Sequence, residues 1–314
     1  MIRKRLILTG ILLVALTGPR SMIVGASASE DGSDSRPKVV IGRISTKPTS
    51  QLAKLEAMSE YLAQAYPGEN VPVFDEIVVP NINAMADLLR GGKVDLISET
   101  PLGAVELEKT AGVDIVLLER KKGVAEYSGI LVTHMDSGVQ SLDDLTGKVI
   151  AFEDRGSTSA FLLPLAILRQ HGLKLVELTR WDSTPPEGHV GYIFAEHEIN
   201  VSSLVARGKV AAGALSDLDW TDPDEVPSGL KRRLKVFYTS EPVLRSLILM
   251  RGDMDPTIKS TLIEMLADMH NAPGSRSAMK KYNKVQRFDR INDQLNAKLA
   301  QLRELHGVVR DKIR

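Results

Sequence analysis

From Lys38 onward the chain alternates short apolar runs of β-forming residues with stretches of helical periodicity, and that alternation leaves few folds open. Strands are expected at 38–44, 71–79, 94–97 and 115–118, with helices at 49–65, 82–90 and 102–110 between them. In the first helix Leu52, Leu55, Met58, Tyr61, Leu62 and Ala65 recur at helical spacing. Pro67-Gly68 and Gly91-Gly92 close the first two helices. A second series follows, with strands at 128–133, 149–152, 190–194, 210–215, 234–238 and 243–250. Its helices fall at 158–170, 199–206, 256–270, 275–282 and 291–306, with loops at 181–189 and 223–229. Such alternation argues for an α/β protein with a mainly parallel sheet covered by helices on both faces. Two series of similar size suggest two lobes.

The sharpest local signal is residues 147–171, GKVIAFEDRGSTSAFLLPLAILRQH. An apolar strand (Val149, Ile150, Ala151, Phe152) runs into a polar loop that ends in Gly156-Ser157-Thr158-Ser159, and an apolar helix starts at once. Three hydroxyls and several unpaired backbone N–H groups then sit at the positive end of a helix, an arrangement that takes an anion without a counter-charge. A helix cap alone needs only one of those hydroxyls. In α/β folds, ligands bind outside the carboxyl ends of the strands. Ser45 and Thr46, Asn81 and Asn83, and Ser98, Glu99 and Thr100 occupy such positions by the same reading.

Composition narrows the partners. There are 40 basic and 40 acidic residues, aromatic content is 4%, and no basic stripe interleaved with aromatics occurs, which argues against nucleic acid. The first 28 residues carry Arg3-Lys4-Arg5, an apolar run from 6 to 16, and Ala26-Ser27-Ala28, the pattern of a secretory signal cleaved near Ala28. Its loss removes Arg3, Lys4, Arg5 and Arg20 and no acid, leaving a net charge of −4. The chain has no cysteine, so neither disulfides nor lipid acylation at the cleavage site is expected. A flexible leader at 29–37 and a soluble, monomeric periplasmic protein follow from this reading.

The ordered series of segments resembles the phosphonate/phosphite-type periplasmic substrate-binding proteins of ABC transporters. The likeness is carried by the 147–171 segment with its early Pro164, by NINAMADLLRGGKVDLI (81–97) and by YSGILV (127–132). SLDDLTGK (141–148), FAEHEINVSSLVARGKVAAGALSD (194–217) and SEPVLRSLILMRGDMDPTIKSTLIEMLADMH (240–270) extend it. The resemblance implies a two-lobed type 2 periplasmic-binding-protein (Venus flytrap) fold, each lobe a mixed sheet flanked by helices, joined by two crossover strands. Residues 38–130 plus 241–314 would form lobe 1 and 131–240 lobe 2. It further implies a small oxyanion (phosphonate, phosphite or phosphate-like) held by Ser157, Thr158 and Ser159, with Tyr127, His197 and Asp217 alongside. Ser45, Glu99 and Thr100 would face it from lobe 1. No cofactor or metal is expected, and the partner would be an ABC permease or a membrane sensor. Glu99 departs from the family pattern and would suit a ligand that also carries a cation.

Two other chemistries are open to these residues. Ser157 or Ser159 with His197 and Asp217 supplies the residue types of a hydrolase triad, yet the turn is not a G-x-S-x-G elbow. Glu187, His189, Glu196, His197 and Glu198 could be metal ligands, but their spacing fits no zinc pattern.

Overall fold

The computed structural model describes residues 24–25 and 35–313. Apart from Val24-Gly25, the expected signal segment lies outside the described residues, as does most of the leader. In chain order come β1 (Val24–Gly25), β2 (Lys38–Ile44), α1 (Pro48–Ala65), β3 (Val73–Val79), α2 (Ile82–Arg90), β4 (Leu96–Glu99), α3 (Pro101–Ala111) and β5 (Val113–Lys121). The chain then leaves this unit through β6 (Glu126–Tyr127) and enters a second at β7 (Gly129–His134). There it forms β8 (Val149–Phe152), a π-helical turn (Thr158–Leu162) running into α4 (Leu163–Gln170), β9 (Lys174–Glu177) and β10 (His189–Phe194). After α5 (Glu198–Ala206) come β11 (Ala212–Ser216), α6 (Asp217–Thr221), α7 (Ser228–Lys231) and β12 (Leu234–Thr239). It returns through β13 (Val243–Leu244) into β14 (Leu247–Arg251), α8 (Pro256–Asp268), α9 (Ser275–Asn283), β15 (Val285–Arg290) and α10 (Asp293–Val309).

The first lobe holds a seven-stranded sheet in the order β1-β3-β2-β4-β14-β5-β15, and the second a six-stranded sheet, β12-β7-β11-β8-β10-β9. Each is mixed. The strands β3, β2 and β4 are mutually parallel, as are β9, β10, β8 and β11, whereas β14, β5 and β15, and likewise β7 and β12, run antiparallel to their neighbours. The mainly parallel expectation therefore needs correction: strands that carry the chain out of one lobe and back into the other enter their sheets in the opposite sense. Between the lobes β6 and β13 pair antiparallel, with Tyr127 opposite Val243. The single strand expected at 243–250 is two, because the chain must turn at Arg245-Ser246 to pass from the crossing pair into the first sheet.

Local chemistry sets the helix ends. Asn81 caps α2 by accepting from Ala84 N, while Ile82, Met85, Ala86 and Leu89 form its buried face at helical spacing. Asp255 caps α8, which has Pro256 at its first position. Pro101 opens α3, and Gly112, at φ 65°, closes it in the left-handed conformation that a side chain would resist. One buried cluster runs through both lobes. It joins Leu102, Val105 and Leu107 of α3, Leu165 and Leu168 of α4, and Leu299 and Leu302 of α10. The outer faces of the sheets have separate clusters, one under α1, α8 and α9 and one under α5. Among the described residues no helix is long and apolar enough to cross a membrane.

Candidate functional site

The hydroxyl turn lies where the lobes meet. After β8 the loop folds back as Gly156 N donates to Asp154 Oδ1 (2.7 Å) and Glu153 N to Ala160 O (3.3 Å). Ser157 Oγ then caps the next turn by accepting from Ala160 N (3.1 Å). The first turn is π-helical, with Leu162 N donating to Ser157 O (3.0 Å). Thr158 is 1% and Ser159 6% exposed. Contact across the lobes is direct: Leu102 N, in the first turn of α3, donates to Thr158 Oγ1 (3.3 Å), and Thr100 Oγ1 donates to Gly156 O (3.4 Å). Two helix N-termini, one from each lobe, thus converge on the 156–159 turn, and their partial positive ends add.

Gly129 makes this docking possible. A Cβ on it would lie 2.7 Å from Ser159 O, closer than a real Cβ comes to any atom. The start of β7 can therefore seat the turn only as glycine. Tyr127, two residues earlier on the crossing strand, is buried, and its hydroxyl bonds with Ser159 and Thr158. Burial pushes its pKa well above the ordinary tyrosine value, and those hydroxyls only partly offset the rise. All three turn hydroxyls have protein partners, Ser157 through Ala160 N and Glu153, the other two through Leu102 and Tyr127. The picture of free donors at an open helix end becomes one of donors held ready in a closed junction.

The remaining candidates divide. Thr100 and Glu99 reach the junction: Glu99 Oε1 accepts from Thr100 N (2.7 Å), and burial raises the pKa of its carboxyl. Asp217 is committed to the crossing strand, since its Oδ1 accepts from Ser128 N (3.0 Å) while its own N donates to Ser128 O (3.0 Å). Ser45 is held in its own loop, where Oγ accepts from Lys47 N (3.0 Å). His197 is exposed at the N-cap position of α5 and makes no side-chain capping bond. Among the described residues no hydrogen bond joins His197, Asp217, Ser157 or Ser159 into a nucleophile–base relay. Nor does any group of three or more His, Cys, Asp or Glu side chains there form a metal site.

Several ionisable groups at the junction escaped the sequence reading. Glu153, on the loop before the turn, has its pKa pushed up to about 9 by burial and by the Glu198 and Asp154 carboxyls. It also hydrogen-bonds with Glu198 and Ser157. On lobe 1, Glu119 is fully buried near the end of β5. Its carboxylate accepts from Ser98 Oγ, Ser246 Oγ (2.9 Å) and Asn283 Nδ2 (2.9 Å). Arg43, Lys121 and Arg245 surround it electrostatically. The signal was present in the Glu119-Arg120-Lys121 ending of an otherwise apolar strand. Separately, an open cleft of ≈ 730 Å³ on the flank of lobe 2 is lined by Arg155, Arg180, Trp181, Phe194, Asn200 and Ser203, and includes none of the predicted site residues.

Known proteins share this architecture. The profile of a family described as "ABC transporter, phosphonate, periplasmic substrate-binding protein" matches residues 41–295. The solved structure of XAC2383 from Xanthomonas citri bound to chloride superposes with a TM-score of 0.83 at 28% identity, covering 87% of this chain and 98% of that one. Its structure bound to ATP gives 0.82, again at 28% identity, over 88% and 99%. A binding-protein component of a phosphonate ABC transporter from Pseudomonas aeruginosa gives 0.63 at 18% identity, covering 87% of each chain. PhnD1 from Prochlorococcus marinus in complex with methylphosphonate gives 0.62 at 17%, covering 87% and 97%. At such identities the last two speak to the fold.

Proposed function

Because the chain belongs to the periplasmic substrate-binding proteins of phosphonate-type ABC transporters, we propose that it captures a small oxyanion at the inter-lobe junction and hands it to its permease. The oxyanion is phosphonate-, phosphite- or phosphate-like and is held by Ser157, Thr158 and Ser159. Residues 38–130 with 241–314 move as one half and 131–240 as the other, about the β6–β13 crossing pair. The observation that carries this reading is the hydrogen-bonded meeting of Thr100 and Leu102 with Gly156 and Thr158. A ligand bound at that point touches both halves, and binding and closure are then one event.

The chemistry favours capture without reaction. Hydroxyls and helix-end N–H groups hold charged oxygen by dipoles, each bond contributing roughly 1.5–3 kcal/mol. Thr158 can keep accepting from Leu102 N while turning its own proton to the ligand. Tyr127 supplies a second hydroxyl to the same point, and its raised pKa keeps it a donor at neutral pH. Of the carboxyls near the turn, Glu99 and Glu153 are both pushed by burial toward the uncharged form that an oxyanion tolerates, and Asp154 is engaged by Gly156 N. His197 and Asp217 are assigned to the rim of the site, where they would contact the rest of the ligand. The anions named for XAC2383 and PhnD1 (chloride, ATP and methylphosphonate) support an anionic ligand class.

The test is titration calorimetry with methylphosphonate, phosphite, phosphate and sulfate. At least one should bind, and Ser157→Ala should weaken it by roughly tenfold or more, the equivalent of one charge-assisted hydrogen bond. If none binds, or if Ser157→Ala leaves affinity untouched, the proposal is wrong.

A further inference from the structure

We propose that Lys121, Arg43 and Arg245 form a second anion subsite on the lobe 1 wall of the junction, and that the ligand carries two separated anionic groups. The inference rests on the oxyanion reading above, which places the first group at the 156–159 turn. The second group would be a carboxylate or another phosphonate on the same molecule.

The carboxylates near these cations bond to other groups. Glu119 takes hydrogen bonds from Ser98, Ser246 and Asn283 and none from a cation. Glu99 Oε1 is taken by Thr100 N and Asp217 Oδ1 by Ser128 N, and Asp219 closes a capping box with Ser216. The neighbouring cations therefore lack direct carboxylate partners. Arg43 is 9% exposed, and its Nε and Nη2 have no hydrogen-bond partner. Only Nη1 is bonded, to Gln51 Oε1 (3.4 Å) and Asn283 Oδ1 (3.2 Å), while the guanidinium lies over Tyr282, 5.0 Å from the ring centre. The Tyr282 hydroxyl is likewise buried and unpartnered. Arg245 spends Nη1 on the carbonyl of Lys121 (2.6 Å) and makes no ion pair with a described residue. Lys121 is half-buried at the end of β5, with no hydrogen bond or ion pair to its ammonium among the described residues.

A cation withdrawn from water without a partner is unfavourable unless something supplies the missing charge, and Arg43 is buried while Lys121 and Arg245 are half-buried. Here the shortfall lies on a wall of the proposed binding junction. Arg245 lies two residues past Val243, the strand partner of Tyr127, and its N donates to Ala125 O (2.8 Å), so the cluster begins at the crossing pair beside the oxyanion turn. Lys121 continues it at the end of β5, where its carbonyl accepts from Arg245 Nη1 (2.6 Å). A ligand anchored at the turn by one oxyanion would extend its other end along this line. Burial pushes the Lys121 ammonium down in pKa and the two arginines add to it, with Glu119 and Glu99 only partly opposing; a ligand anion would relieve the remainder.

The experiment compares methylphosphonate with 3-phosphonopropionate, which adds one carboxylate at the far end. Calorimetry on the wild-type protein should show the two-headed probe binding roughly 10- to 100-fold more tightly, the range of one charge-assisted hydrogen bond. Lys121→Gln should bring the ratio close to one, Arg245→Gln should lower it, and Lys121→Arg, which keeps the charge, should retain it. Ser157→Ala should weaken both probes together. Equal affinity in the wild type, or a ratio that survives both neutralising variants, overturns the second subsite. If methylphosphonate binds without a preference for the two-headed probe, only this inference falls. If neither probe binds while phosphite, phosphate or sulfate does, again only this inference falls; if no oxyanion binds at all, the functional reading falls and takes this one with it.

Discussion

At the scale of single residues, Glu153 is the most informative group near the turn. It sits four residues before Ser157, hydrogen-bonded with Glu198 on α5, and its pKa rises from 4.5 to about 9. Folding therefore holds a proton that the unfolded chain releases above pH 4.5. The stabilisation is complete below that value and is lost as pH climbs toward 9. The melting temperature should accordingly fall between about pH 5 and pH 9, and Glu153→Gln, which mimics the protonated carboxyl, should flatten that decline. Thermal melts across the range decide it; a wild-type profile with no slope there would contradict a buried neutral Glu153. Ligand affinity should follow the same course, since an ionised Glu153 repels an oxyanion at Ser157. The sequence showed Glu153 only as one acid in a polar loop. Its protonation depends on Glu198, which is 45 positions away and is brought close only by the parallel pairing of β8 with β10.

At the scale of elements, much of the molecule was legible and the failures have a common cause. Helices α2, α8 and α10 and strands β2, β8 and β10 were readable because caps, prolines and apolar spacing act over a few residues. Beyond β1, which falls inside the expected signal segment, the strands missed were β6, β9 and β15. Each is short or carries polar side chains, and each owes its pairing to a distant partner rather than to its own pattern. The 156–159 turn is legible as a helix start, but not as sealed against α3, because Leu102 and Gly129 decide that from elsewhere in the chain. Gly129→Ala tests that seal. The new methyl has backbone, not a flexible side chain, 2.7 Å away, so the turn must shift. The expected loss is roughly 1–3 kcal/mol of stability, typical of overpacking, together with weaker oxyanion binding. Chemical denaturation and calorimetry read the two effects separately; unchanged values in both would show that the turn has room to move.

At the scale of the whole molecule, two lobes with separate sheets nevertheless share one core. The crossing pair β6–β13 ties them on one side. Helix α10 ties them again by packing against α3 of the first lobe and α4 of the second. Arg169 of α4 reinforces this strap, donating to Val308 O (2.7 Å) and pairing with Asp311 at the end of α10. By contrast the surface pair between Lys122 and Asp222 (3.3 Å) joins the lobes through exposed side chains and adds little in salt. The closure proposed for this fold would then leave α10 as a fixed back, and the lobes should not unfold independently. Calorimetric melting should show a single cooperative transition, with the van't Hoff enthalpy matching the calorimetric one. Leu302, 1% exposed in the shared cluster, is the place to challenge this. Leu302→Ala removes packing between α10 and the rest of that core and should destabilise the protein by about 2–5 kcal/mol. The diagnostic feature is shape rather than size. If the shared core makes the lobes one folding unit, the transition moves to lower temperature and stays single. If α10 merely rests on two autonomous halves, the variant will split the transition, and closure would then run on a looser hinge than a fixed α10 allows.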